Sequence, residues 1–230
     1  MEEANILDDC EFEYADSYGL RYMFENCTKL KTGPARIIVN GKTGHATCAN
    51  MFINCELTAA PDIHVESLQN RSGLYAGMFK GCAQLSAVPA DYLKNSASVI
   101  SSHLSAYDPR SLDPVDGATA QSINIKEMYS GMFEGCTALT AAPFLYECAL
   151  STGGISAYEA TKQYEGMFKN CTSLSCISSD FTKYNANLKN LLQNVAPTGV
   201  MYCKQVNDLS TSSSRSLLGI PAGWSIEVLP

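Results

Sequence analysis

The fullest copy of a recurring unit in this chain is Tyr129-Ser130-Gly131-Met132-Phe133-Glu134-Gly135-Cys136-Thr137-Ala138-Leu139-Thr140-Ala141-Ala142-Pro143. Its central phrase is a Met-Phe pair and a Cys with two residues between them. The same phrase occurs four more times, as Met23-Phe24-Glu25-Asn26-Cys27, Met51-Phe52-Ile53-Asn54-Cys55, Met78-Phe79-Lys80-Gly81-Cys82 and Met167-Phe168-Lys169-Asn170-Cys171. A Leu follows each Cys, three residues on in four copies and two residues on in the second. Five copies of one string predict a repeat protein.

The spacing of the units indicates how they assemble. The Met of the phrase stands at positions 23, 51, 78, 132 and 167, so the numbering advances by 28, 27, 54 and then 35. Periods of 27 and 28 are typical of leucine-rich repeats, in which each unit stacks on its neighbours because it cannot bury its apolar face alone. The spacing of 54, which is twice 27, could hide a degenerate unit. Because nothing near position 105 resembles the motif, a long insertion at 91–127 is favoured.

Within one unit, Met132, Phe133, Cys136 and Leu139 stand at i, i+1, i+4 and i+7, which is one face of about two helical turns. The unit therefore predicts a short helical corner, followed by a short strand that ends at Pro. Stacking at roughly 4.8 Å would align like side chains in columns. The predicted core is Met23, Phe24, Cys27, Met51, Phe52, Cys55, Met78, Phe79, Cys82, Met132, Phe133, Cys136, Met167, Phe168, Cys171 and Trp224.

The phrase Tyr-x-Gly-Met-Phe-x-Gly-Cys-Thr-x-Leu-Thr-x-Ala-Pro at 129–143 resembles the BspA-like leucine-rich repeats of surface proteins of gut anaerobes and related phage proteins. Residues 197–202 and 219–226 resemble the closing segment of that family, so the resemblance covers roughly 19–228. The second unit departs by one residue between Cys55 and Leu57, and Ile177-Ser178 replaces the Ala-Pro ending in the fifth. The resemblance implies a binding or adhesion role, without a fixed set of functional residues.

The expected fold is an α/β repeat, a leucine-rich-repeat-like solenoid of stacked short strands and short helical corners with β-hairpin excursions. Residues 1–20 would form an N-terminal cover, 21–180 the five-unit solenoid, and 181–230 a capping helix and strands, all in one structural domain. Asn40-Gly41 predicts a hairpin over 36–43, and a second hairpin is expected at 146–162. Apolar residues at helical spacing predict a helix over 181–195, and alternation predicts a closing strand at 224–228.

The charge of the chain is unevenly placed. Seven of its acidic residues lie in the first sixteen positions, which hold no Lys or Arg, and the formal net charge is −7. An acidic chain has no electrostatic attraction to a nucleic-acid backbone. The acidic start is either a solvated tail or a docking tail for a basic partner. No apolar run approaches the roughly 20 residues of a membrane helix.

The N-terminus also lacks the charged and apolar regions of a signal peptide. This predicts either that an export leader was removed or that the protein is assembled without Sec export. The expected location is a virion, or the extracellular space or cell surface.

Ten cysteines raise the question of disulfides and metal. Five occupy the repeat position, and Cys48 stands where other units have Tyr75, Tyr129 and Tyr164, so these six are expected to be small buried hydrophobes. Disulfides between neighbouring units remain open, because a stacking distance of roughly 5 Å lies within the range a disulfide tolerates. No Cys-x-x-Cys pair is present, so we expect no metal and no cofactor.

No catalytic motif is present, and we expect a protein that is not an enzyme. Long insertions in repeat scaffolds are common binding surfaces, and Tyr and Arg are favoured interface anchors, which makes Tyr107 and Arg110 the binding candidates. The alternative is that this insertion is an extended hairpin that binds no ligand. The expected function is a display or attachment module that binds a protein or a cell-surface glycan. A phage virion component (fibre, head decoration or host-attachment protein), forming a homo-oligomer if virion-borne, is preferred to a bacterial adhesin whose leader was removed.

Overall fold

The chain winds into a parallel β-solenoid of about seven turns. The structure is a computed structural model that describes residues 4–5, 8–13, 17–67, 72–98, 126–147 and 162–230. Its strands are β1 (Ala4–Asn5), β2 (Cys10–Phe12), β3 (Leu30–Thr32), β4 (Arg36–Lys42), β5 (Asp62–Ser67), β6 (Cys176–Ser178), β7 (Thr198–Cys203) and β8 (Gly223–Val228). A 3₁₀ helix, η1 (Ala186–Leu188), an α-helix, α1 (Ser212–Leu218), and a helical stretch at 94–98 complete the described elements.

All strand pairs in the described residues are parallel. They form the sheets β1-β3, β2-β4-β5 and β6-β7-β8, and single parallel bridges continue the pairing at Ala59–Ala87, Ala141–Cys176 and Leu145–Ser179. The two neighbours of β4 are the strands one repeat period earlier and one period later in the chain, so each coil lays its strand on the matching strand of the next. The solenoid predicted from the repeat is therefore confirmed.

The Met-Phe phrase does not form a helical corner. It lies in a run of successive turns, here named the turn run, which spans 17–26, 45–54, 72–81, 126–135, 162–170 and 186–194 in the first six coils. In coil 3 every fourth residue is left-handed: Gly73, Gly77 and Gly81 have φ of 66°, 61° and 75°. A left-handed residue at every fourth position interrupts an α-helical hydrogen-bond ladder, so the predicted helical corner is wrong.

The amides of a turn run alternate between two kinds of acceptor. The Lys80 N–H donates within its own turn to the carbonyl of Gly77 at 2.9 Å. The neighbouring Phe79 N–H instead donates to the carbonyl of Met132 in the next coil, also at 2.9 Å. The same alternation runs through coils 1 to 5, with inter-coil distances of 2.7–3.3 Å. Turn runs are therefore joined to one another like strands of a sheet.

Equivalent side chains of successive coils form columns inside the stack. The rings of Phe24, Phe52, Phe79, Phe133 and Phe168 stack in that order, with centroids 5.0–5.6 Å apart and planes within 10°. The Met, Phe and Cys of coils 2 to 5 are buried. The first coil differs, because Met23 is 45% exposed, Cys27 is exposed and Phe24 is only partly buried. Their assignment to the core is wrong for Met23 and Cys27, since no described layer covers that face.

Coil 3 stacks directly on coil 4, although the long insertion separates Met78 from Met132 in the sequence. The Phe79 and Phe133 rings lie 5.5 Å apart, and five inter-coil hydrogen bonds join residues 73–81 to residues 126–134. These two turn runs are thus in direct contact. The long insertion in the sequence therefore does not interrupt the columns of the described coils.

The stack continues beyond the fifth unit. Leu191, Leu192 and Val195 are buried in the places that Met, Phe and Cys occupy in earlier coils, and the left-handed Asn190 and Asn194 frame them. The predicted helix over 181–195 is therefore wrong: residues 186–194 form a turn run that begins with η1. Helix α1 lies over this sixth coil, where the Leu217 and Leu218 carbonyls accept hydrogen bonds from Asn190 and Leu192.

The hairpin predicted over 36–43 is also wrong. Residues 36–42 form one continuous strand, β4, between β2 and β5, with Ile37 opposite Ile63 and Val39 opposite Val65. Burial of these four apolar side chains overrides the local turn preference of Asn-Gly. The hairpin expected at 146–162 falls mostly outside the described residues. The closing strand is present as β8, and the buried Trp224 donates from Nε1 to the carbonyl of Ala196 at 2.7 Å.

Candidate functional site

The start of the long insertion is held by Tyr92. Its ring meets those of Phe79 and Phe133 edge-on, at 6.3 Å and 62° to each, so it packs against two neighbouring coils at once. Its hydroxyl donates to the carbonyl of Pro61 at 2.8 Å. Burial, and secondarily the carboxylate of Asp62, raises the pKa of Tyr92, which keeps the phenol protonated as a donor. Tyr92 thereby fixes the root of the insertion to the core.

The helical stretch at 94–98 is clamped by two polar side chains. The Asn95 Oδ1 accepts from the Val65 N–H at 3.3 Å, and its Nδ2 lies 3.3 Å from Nδ1 of His64. The buried Ser96 Oγ donates to the Leu93 carbonyl at 3.1 Å and lies 2.6 Å from the Tyr129 hydroxyl. These contacts join the insertion root to β5 and to coil 4. The described start of the insertion is therefore held against the scaffold.

An open groove of about 530 Å³ lies beside this root. Its lining includes two acids and one base, Asp62, Asp91 and Lys94. Asp62 is paired with Arg36, whose Nε lies 3.3 Å from Oδ2, and both side chains are more than half exposed. Such exposed pairs contribute little stability, so these charges are free to exchange partners with a ligand. The groove and the insertion root together form the candidate interaction surface.

Tyr107 and Arg110, the residues nominated from sequence, lie outside the described residues. The structure therefore adds the root at 91–98 to the candidate surface without placing either of them. Sequence reasoning missed Tyr92 and Asn95. The available signal was the apolar pair Tyr92-Leu93 soon after the unit's Pro89, because an apolar pair at the start of a polar insertion indicates packing against the core.

In coils 2 to 5 the thiol of each repeat cysteine makes a structural hydrogen bond. The Sγ atoms of Cys82, Cys136 and Cys171 lie 3.0–3.2 Å from the Phe carbonyl oxygen of the preceding coil, to which each thiol donates. Burial raises the pKa of Cys82 and of Cys171 to about 12, so neither is a thiolate at neutral pH. The nine cysteines of the described residues are all free thiols, with no disulfide between neighbouring units.

The described histidines are engaged by neighbouring coils. Nδ1 of His45 lies 3.0 Å from Oγ of Ser72 and accepts from the Ser72 N–H at 3.3 Å, while His64 contacts Asn95. Within the part of the chain that the structure describes, no group of three or more His, Cys, Asp or Glu side chains is placed to hold a metal ion. None of the helices in that part has the length and apolar character needed to cross a bilayer.

No protein-family model matches this sequence, and no curated protein or solved structure matches it either.

Proposed function

We propose that this chain is a non-enzymatic display or attachment module built on a BspA-like leucine-rich-repeat solenoid. The observation that supports it is the unbroken stacking of coil 3 on coil 4, with Phe79 and Phe133 5.5 Å apart across the insertion. A scaffold that keeps its column intact across a long insertion is suited to presenting that insertion to a partner. The partner is a protein or a cell-surface glycan.

The setting we favour is a phage virion, in which the protein is a fibre, a head decoration or a host-attachment protein. The resemblance of residues 129–143 to BspA-like repeats of phage proteins supports this choice. Mass spectrometry of purified particles tests it. The protein is expected at a fixed copy number relative to the major capsid protein, and its absence from washed particles contradicts the proposal.

The attachment role is tested separately on the insertion. Tyr107→Ala and Arg110→Ala are each expected to weaken binding of the purified protein to its target cells and to leave its thermal unfolding unchanged. Tyr18→Ala is the matched control for the tyrosine, because Tyr18 is 56% exposed and distant in sequence from the insertion. Lys204→Ala, at another exposed position, is the control for the arginine. Full binding by both insertion variants removes this role from the two residues.

A bacterial surface adhesin is the second candidate, because the same repeat phrase resembles those of surface proteins of gut anaerobes. Brief protease treatment of intact cells separates the two settings. Release of peptides from this chain by surface digestion supports the adhesin, whereas recovery only in virions supports the phage component.

A further inference from the structure

The coil-1 end of the solenoid is an unfinished copy of the interface between coils. The Met23 side chain is 45% exposed, whereas Met51, Met78, Met132 and Met167 in the same column are at most 1% exposed. The ring of Phe24 stacks on Phe52 on one side only, in contrast with the three interior rings of its column. With the exposed Cys27, these side chains form an apolar end face of the kind that every interior coil buries.

The backbone at this end has a single polarity. In coil 2 the carbonyls of residues 45, 47, 49, 51 and 53 accept the inter-coil hydrogen bonds from coil 1. The corresponding carbonyls of Gly19, Arg21, Met23 and Glu25 accept none from the described residues. The end face thus presents a row of acceptors at every second residue. Water can hydrate these carbonyls one by one, whereas a segment that offers N–H groups at the same spacing satisfies the whole row at once.

Strands β1 and β2 already occupy the layer in front of coil 1. Ala4 pairs with Leu30 in β3, and Cys10 pairs with Ile37 in β4. Among the described residues these two strands make up that layer, and none of those residues forms a turn run in front of 17–26. Counting only the described residues, the layer is filled beside the strands of coil 1 and open beside its turn run.

A second copy of this chain does not fit the open place. Two copies meeting at their coil-1 ends would oppose acceptors to acceptors. The other end of the solenoid is covered by α1, whose Arg215 N–H donates within the helix to the Thr211 carbonyl at 2.9 Å. A helix does not offer free N–H groups at every second residue.

We propose that the coil-1 end face is a docking site for a turn run from a second polypeptide, with Gly or Asn at every fourth position and an apolar pair such as Met-Phe between them. Every second N–H group of the docked turn run would donate to one of the carbonyls of Gly19, Arg21, Met23 and Glu25. The aromatic ring of the docked segment would extend the Phe column beyond Phe24. The other member of its apolar pair would cover Met23. The inference goes beyond the display role and does not depend on it.

The exposed Cys27 provides a position-specific reporter. The probe is a peptide with the sequence of residues 72–82, Ser-Gly-Leu-Tyr-Ala-Gly-Met-Phe-Lys-Gly-Cys, activated at its Cys as a mixed disulfide with 2-thiopyridine. The Cys27 thiolate attacks the peptide sulfur, the bond to the pyridyl sulfur breaks, and 2-thiopyridone leaves. Stacked coils place equivalent Cα atoms about 5 Å apart, within the range for a disulfide. Docking therefore brings the two sulfurs together.

The native full chain is treated with the probe, and labelling at each cysteine is mapped by mass spectrometry. For each peptide, the labelling rate of Cys27 is divided by that of the half-buried Cys10. We expect this ratio to be at least about tenfold higher for the Phe peptide than for the same peptide with Ser in place of Phe. Each rate is normalised to that of a small thiopyridyl disulfide, which removes differences in intrinsic thiol reactivity. Equal normalised rates for the two peptides overturn the proposal.

Substitutions in the protein, in place of substitutions in the peptide, test the same docking. The double substitution Tyr22→Ser and Met23→Ser changes two exposed side chains, so folding is expected to persist, as checked by circular dichroism. It should abolish the preference for the Phe peptide. Leu217→Ser, at an exposed position on the opposite end, should retain it. Loss of the preference in Leu217→Ser, or its persistence in the double variant, contradicts docking at the coil-1 end.

Discussion

Replacing Gly166 with Ala should destabilise this protein, although the same change in a helix would stabilise it. Gly166 has φ of +62°, and a Cβ added there would meet only the Lys169 Cβ and Cδ, at 3.8 and 4.0 Å, which is ordinary contact. The left-handed conformation costs an L-residue about 1–2 kcal/mol, partly offset by about 0.4–1 kcal/mol from the less flexible unfolded chain. In a helix interior, Gly→Ala gains about 0.5–1 kcal/mol. The sign of the change therefore distinguishes a turn run from a helical corner.

Gly77 adds a steric clash to the same backbone cost. It occupies the equivalent position in coil 3 with φ of +61°, but an added Cβ would clash with Oδ1 of Asn50 in the neighbouring coil. Because the end of the Asn50 side chain can rotate away, we expect a cost near the lower end of the about 1–3 kcal/mol typical of overpacking. Gly77→Ala should therefore lose more stability than Gly166→Ala, and the excess should disappear when Asn50, itself left-handed, is replaced by Gly.

The assay is urea and thermal unfolding followed by far-UV circular dichroism. For a chain of this size, 1 kcal/mol corresponds to about 2–4 °C in Tm. Gly166→Asn serves as the control, because Asn adopts this conformation in the next coil at Asn190, φ 57°, and little change is expected. A Tm for Gly166→Ala above that of the parent protein would refute the turn-run geometry.

Three further outcomes follow from the same stack. Phe133→Ala, which removes a ring stacked on both sides, should cost about 3–5 kcal/mol in urea unfolding, and Phe24→Ala at the open end no more than about half of that. Burial raises the pKa of Cys82 from 9.0 to about 12, so its contribution to stability is complete below pH 9 and is lost as pH rises to 12. Burial raises the pKa of Cys48 and of Cys171 to about 12 as well, so Cys82→Ala should make the alkaline decline in stability less steep without removing it, and an unchanged slope would contradict this. Replacing residues 99–125 with a flexible linker should shift Tm by less than about 4 °C, whereas unfolding of this variant would mean that the insertion contributes to the stack.

The period and its consequences could be predicted from sequence. Repeat spacings of 27 and 28 require stacking, and the columns follow, as the Phe52 and Phe79 rings at 5.6 Å illustrate. The nature of the corner could not be decided from apolar positions alone. Met132, Phe133 and Cys136 stand at i, i+1 and i+4, a spacing that suits both the period of an α-helix and successive turns of four. The discriminating signal was the pair Gly131 and Gly135, which are one such turn apart and both left-handed.

Other features depend on contacts that are remote in sequence. The sixth coil keeps Asn190 and Asn194 but has Leu-Leu and Val in place of Met-Phe and Cys, so a search for the literal string passes over it. Asn40-Gly41 favours a hairpin locally, but pairing with β5 keeps residues 36–42 in one parallel strand, whose register shifts between Val39 and Lys42. The exposure of Met23 depends on whether a layer covers coil 1, which the sequence of the unit does not specify. Local patterns predicted the interior of the stack better than its ends.

The most direct test of the stacked, inward-facing repeat is the accessibility of its thiols. Native protein is alkylated briefly at mildly alkaline pH, quenched and mapped by mass spectrometry, with urea-unfolded protein as the reference for full reactivity. Cys27 should react in the native state, while Cys82, Cys136 and Cys171, which are fully buried, should react only after unfolding. Native-state modification of those three at the rate of Cys27 would contradict the account.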